Sequence, residues 1–142
     1  MNTQAKALDL AQIVGVIEPV AGAATYATVY IDAGSAYAFS ALVAVGTAGT
    51  SVNAKIQQAT DSSGTSVKDL SGSAITEIDG DGESAVIQFK PEDLDTANGF
   101  DHFRLSITTV GATAVAGGTV TAVSPRYAPL ADAAKIDEVV TV

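Results

Sequence analysis

Short apolar or alternating runs, cut by clusters of Gly, Ser, Asp and Asn, fill most of the chain, and this pattern predicts strands joined by tight turns. Thr25 to Asp32 (TYATVYID) is the first clear run and ends in a turn at Gly34-Ser35. Ala36 to Val45 (AYAFSALVAV) is apolar almost throughout, and its length with its Val and aromatic content predicts a central strand. Val52 to Thr60 alternates, with Val52, Ala54, Ile56 and Gln58 on one face and Asn53, Lys55 and Gln57 on the other. Asp61 to Thr65 is a turn in which Asp and Ser bond local backbone and Gly64 supplies positive φ. Val67 to Leu70 returns, Ser71 to Ser73 turns again, and Ala74 to Ile78 reads as a short strand. A tight turn at Asp79 to Gly82 leads into Ser84 to Phe89, with Ala85, Ile87 and Phe89 on one face.

Lys90 to Asp95 breaks the β pattern, because Pro91 at an early position with acids behind it predicts one helical turn. Asn98-Gly99 turns the chain into Phe100 to Thr109, where Phe103, Leu105 and Ile107 share a face. Gly117-Gly118 marks a hairpin or a bulge between Ala112–Ala116 and Thr119–Val123. The stretch Pro125 to Pro129 ends the sheet. Residues 1–24 are an N-terminal arm or a first strand, with Ile13 to Val16 the strand candidate. Residues 25–129 are the β domain, and 130–142 form a C-terminal tail. About eight strands in two sheets suit an all-β jelly roll or a similar Greek-key sandwich.

Composition sharpens this picture. Hydrophobic residues make up 47% of the chain and mean hydropathy is +0.30, which excludes disorder. The apolar content is largely Ala and Val, with 6% aromatics and no Trp, so the isolated domain has a thin core. Burial against a neighbour then matters more than usual, and a homo-oligomer is expected. Seven cations against sixteen acids give a formal charge of −9, without the clustered Lys and Arg that nucleic acid or an anionic membrane surface requires. No Cys is present, which excludes disulfides, thiolate chemistry and zinc–thiolate sites. MNTQAKALDLAQ lacks the basic and apolar regions of a signal peptide, and no apolar run reaches membrane-spanning length.

Candidate chemistry is sparse. Asp79-Gly80-Asp81-Gly82-Glu83 resembles the opening of a calcium loop, but the twelfth position is Lys90 where a bidentate Glu is needed, so an acidic hairpin turn is expected and no metal. Glu92, Asp93, Asp95 and Asp101 are acids of a turn and a strand start rather than a paired catalytic set. His102 is the single His, and no Ser lies in a nucleophile elbow, so it is read as a surface or interface side chain. Gly46-Thr47-Ala48-Gly49 lacks the Lys-Ser/Thr of a phosphate loop. No catalytic residue and no cofactor is expected. Arg126 and Tyr127, set between Pro125 and Pro129, are a large cation and a large aromatic in a chain poor in both. Such residues are enriched at interface hot spots, and the four residues 125, 126, 127 and 129 are the candidate interface; the competing reading is an Arg that caps the sheet.

The runs KIQQATDSSGTSVKDLSGSAIT, VIQFKPEDLD, GFDHFRLSIT and SPRYAP, in that order over Ala36 to Pro129, resemble small virion proteins of tailed bacteriophages. These include head decoration, cement and head-spike-base proteins. The resemblance implies a β-sandwich or jelly roll, an oligomer, and attachment to the shell of the major capsid protein on the exterior of a virion assembled in the host cytoplasm. It supplies no catalytic residue. A receptor- or carbohydrate-binding sandwich of a tail or spike is the alternative, although its loops lack the aromatic platforms that stack on sugars.

Overall fold

Nine strands follow one another through residues 11–125, the part of the chain that the computed structural model describes. They are β1 (Ala11–Ala21), β2 (Ala24–Ala27), β3 (Ile31–Asp32), β4 (Ala36–Thr47), β5 (Ser51–Ala59), β6 (Lys68–Asp69), β7 (Ser84–Phe89), β8 (His102–Val110) and β9 (Val115–Pro125). Pro91–Asp93 forms the expected helical turn, in which the Asp93 carboxylate accepts from the Lys90 backbone N–H at 2.7 Å. No helix among the described residues is long and apolar enough to cross a membrane.

The pairings nest. β1 pairs with β9, β2 and β3 with β8, β4 with β7, and β5 with β6, all antiparallel. The chain is therefore one long hairpin whose tip is the turn between β5 and β6. Rolling that hairpin brings β9 beside β4 and β8 beside β5. Two sheets result, β1-β9-β4-β7 and β2/β3-β8-β5-β6, packed face to face. This is the eight-position jelly roll, with β2 and β3 sharing one position.

That shared position is a run the sequence pattern reads as unbroken. Ala27 stands opposite Ser106 and Ile31 opposite Phe103, so one extra residue is inserted into the edge strand. The insertion turns Thr28 and Ile31, of opposite parity, both toward the interior. The hairpin reading of Gly117-Gly118 is corrected, because β9 runs through both glycines, while a register shift between Ile17 and Val20 of β1 does lie opposite Gly117. They serve close approach: a Cβ on Gly118 would lie 2.7 Å from the Leu42 carbonyl oxygen, and one on Gly117 2.8 Å from that of Ile17. Ala74 to Ile78 follows the edge of β5 without becoming a strand, joined to it by the Val52–Ile78 bridge and by the Ile75 N–H donating to the Ala54 carbonyl.

Inward alternation fills the interior. β4 contributes Phe39, Ala41, Val43 and Val45, β5 Val52, Ala54 and Ile56, and β8 Phe103, Leu105 and Ile107. Phe39 and Phe89 stand opposite each other on one sheet, and Phe103 enters between them from the other. Ring centroids lie 4.6 Å apart for Phe39–Phe103 and 4.8 Å for Phe89–Phe103, both edge to face. Three of the chain's four Phe thus join the two sheets at one point, and Ile, Leu, Val and Ala fill the rest of the core.

Candidate interaction face

The two outward sheet surfaces differ in chemistry. On the β2/β3-β8-β5-β6 sheet, polar and charged side chains satisfy one another. Arg104 donates from Nε and Nη2 to the Gln57 Oε1 at 3.0 and 2.8 Å, and its guanidinium lies 4.8 Å from the Tyr30 ring centre. Gln57 donates onward to Asp69, which pairs with Lys55 at 2.7 Å. Asn53 donates to Glu77, and the hydroxyls of Thr25 and Thr108 meet at 3.0 Å.

The outward surface of the β1-β9-β4-β7 sheet carries no ionisable side chain in its two middle cross-strand rows, whereas Glu18 of β1 stands opposite Gly117 at one end and Lys90, next after β7, beside Ala38 at the other. Registers place Ala11, Val123 and Ala38 in one row, and Ile13, Thr121, Ser40 and Gln88 in the next. Val16, Thr119, Leu42 and Val86 form the third, and Gly117, Ala44 and Ser84 the fourth. Val86 is 56% exposed, Leu42 41% and Val123 39%. A hollow of about 240 Å³ opens in this surface, floored by Gly117 and Gly118 and walled by Val16, Pro19, Leu42 and Ala44. A second recess on this surface is lined by Ala38, Ser40 and Gln88 together with Lys90, Glu92 and Asp93. An aqueous surface of a chain with this charge ordinarily carries its acids everywhere. Here, Glu18 of β1 apart, the acids of the described residues are collected on turns and on the other sheet.

The candidate residues of the sequence reading fall elsewhere. Arg126, Tyr127 and Pro129 lie outside the described residues, and Pro125 is the last residue of β9, opposite Ala36. His102 begins β8, with its Nδ1 2.6 Å from an Asp101 carboxylate oxygen. Asp81 accepts from the Ala48 N–H at 2.9 Å and so anchors its turn, and no group of three or more metal-ligating side chains occurs among the described residues. Asp95 pairs with Lys68 and receives the Asn98 amide, and Lys68 also lies 4.0 Å from the Phe100 ring centre. These bonds, that to Lys68 foremost, hold the Asp95 carboxyl below its ordinary range.

No single run revealed the uncharged face. The signal lay in three segments free of charge, residues 36–47, 84–89 and 115–125. Their common membership in one sheet depends on topology.

No protein-family model matches the chain, and no curated protein matches it in sequence. Solved structures are similar in part. The crystal structure of PirA is 14% identical with a TM-score of 0.47, over 83% of this chain and 97% of that one. A chain of the Cowpea Mosaic Virus empty virus-like particle is 14% identical with a TM-score of 0.43, over 89% and 86%. A subunit of the disulfide-linked pili of Bacillus endospore appendages is 18% identical with a TM-score of 0.38, over 87% and 99%.

Proposed function

We propose that this protein is a structural subunit of a virion, a decoration, cement or head-spike-base protein on the outside of a tailed-phage or phage-like head, without enzymatic activity. The observation that carries the reading is the outward face of one sheet of a jelly roll, uncharged in its middle rows and carrying the exposed Leu42 and Val86. A protein that works by assembly needs a surface that loses little on desolvation, and the middle of this face has only apolar, hydroxyl and amide groups to desolvate. The ordered resemblance from Ala36 to Pro129 directs that structural role to the phage head. Ala11 stands opposite Val123 in the β1–β9 pair, so the segments 1–10 and 126–142 both join the sandwich at one end of one sheet. Either segment is placed to reach a shell of major capsid protein, and the candidate residues Arg126 and Tyr127 belong to the second.

Attachment is additive in this reading: the shell forms first and the subunit binds afterwards. Purified protein mixed with shells that lack it should bind saturably, at symmetry-related sites. Arg126→Ala and Tyr127→Ala should each weaken that binding by more than ~1 kcal/mol while the melting temperature holds. Protein that stays free of shells, or that is found only in the tail tube, contradicts the head assignment and favours receptor binding.

A further inference from the structure

We propose that β7 takes a further antiparallel strand on its free edge, and that the residues after Pro125 of the same chain supply it through Val139 to Val142. Antiparallel order fixes which backbone groups are open. The Val45 N–H donates to the Glu83 carbonyl at 2.9 Å, so Ala85 and Ile87 turn their backbone groups to β4. Ser84, Val86 and Gln88 turn theirs away, to a side where no strand pairs among the described residues. The other three edges are blocked. β1 carries Glu18 and Pro19 and two register shifts, β2 and β3 are split by the inserted residue, and β6 is two residues long. β7 holds no charge, Pro or Gly, and pairs six residues with β4 without a shift. A straight, uncharged edge of this kind is a template for another strand.

Direction and reach select the occupant. Ala36 stands opposite Pro125 and Phe39 opposite Phe89, so β9 and β7 run parallel and finish at the same end of the sheet. A chain that leaves β9 there and turns back runs antiparallel to β7. The residues before Ala11 would pass along the edge in the opposite sense to enter β1, which is the less stable parallel pairing. They also hold one β-branched residue, Thr3, whereas Val139 to Val142 are four in succession. The crossing from β9 to the far side of β7 is three strand spacings, about 14 Å, which about five extended residues span. A recess of about 470 Å³ lies on that path, running from Val123 of β9 over Ala38 and Ser40 of β4 to Gln88 of β7. Asp93 holds the backbone N–H and carbonyl of Lys90, so pairing begins at Gln88. With Val140 opposite Gln88, Val139 falls beside Phe89 on the inner side, and Glu138 falls beside the Lys90 ammonium. A tether this short gives an effective concentration in roughly the millimolar range, above that of a second copy's segment in dilute solution.

Amide hydrogen exchange of the full chain reads this edge residue by residue. The Val86 and Gln88 N–H groups should exchange about ten-fold or more slowly than in Val140→Pro, which removes the N–H that faces Gln88. Ala85 and Ile87, bonded to β4, should exchange alike in both proteins, and the melting temperature should stay within a few degrees. The protection should be the same at about 10 µM and at about 1 mM, because the pairing is within one chain. Val86 and Gln88 amides that exchange as fast in the wild type as in Val140→Pro overturn the proposal. So does protection that survives Val140→Pro, because another segment then covers the edge. Protection lost on dilution overturns it too, since the strand then comes from a second copy. The strand does not depend on the head reading: protein that shows the protection and binds no shell keeps the strand and loses the head assignment.

Discussion

Gly118 and Gly46 show how the same residue type does opposite work in one sheet. A Cβ on Gly118 would meet backbone at 2.7 Å and the Leu105 and Ile107 methyls at 3.0 and 3.1 Å. A Cβ on Gly46 would meet nothing nearer than 3.7 Å. Gly118→Ala is therefore expected to destabilise by about 1–3 kcal/mol, through overpacking. Gly46→Ala should be neutral or stabilise by up to ~1 kcal/mol, because Ala loses less backbone freedom on folding. Urea melts of the two variants separate these outcomes. Three carboxylates mark the acid limit of the fold. The Thr65 hydroxyl, Lys55 and Lys68 are the leading causes that hold Asp61, Asp69 and Asp95, in that order, below the ordinary Asp value of 3.8. A carboxyl depressed in the folded state adds stability that is complete above its unfolded value and fades as pH falls through the folded one. Stability should be level from pH 7 to about 5 and decline below about 4, by a modest amount because these groups are exposed. Lys68→Met should raise the Asp95 midpoint in carboxyl NMR and leave that of Asp61 in place.

Strand identity was legible wherever one face met the core. Val52 to Gln58 alternates in sequence and in burial alike, Phe103, Leu105 and Ile107 are all buried as their spacing predicts, and the turns at Asp61 and Pro91 were marked by their own side chains. Other features were hidden for physical reasons. β1 extends to Ala21 through Glu18 and Pro19, which interrupt its apolar pattern, because register shifts on an edge strand accommodate both. The break between β2 and β3 is one inserted residue, which composition does not register. β4 read as central because it is apolar on both faces, and it does lie between β9 and β7. Its outward face, however, meets no other layer of this chain among the described residues. The length of β1 bears on any truncation. Removing residues 1–10 should leave the melting temperature within a few degrees, whereas removal through Ala21 strips β9 of its partner and exposes an eleven-residue edge. The longer deletion should yield aggregated or unfolded protein in light scattering and circular dichroism; a folded monomer would show that β1 is dispensable.

The described residues form a rolled sandwich with one self-satisfied polar sheet surface and one sheet surface whose charges stand only at its ends, and residues 11 and 125 close it at the same end. Acids gathered mostly on turns leave the middle rows of one sheet free of charge. This division of surfaces explains why a chain so rich in Ala and Val remains strongly acidic. In the proposed reading, the contact with the shell belongs to a terminal segment. A cryo-EM map of the parent particle tests the head assignment most directly. The account predicts density for this jelly roll on the outer surface of the head, repeated at symmetry-related positions, with the end of the sheet that carries Ala11 and Val123 toward the shell. Density confined to the tail, or a head surface bare of the domain, would contradict it.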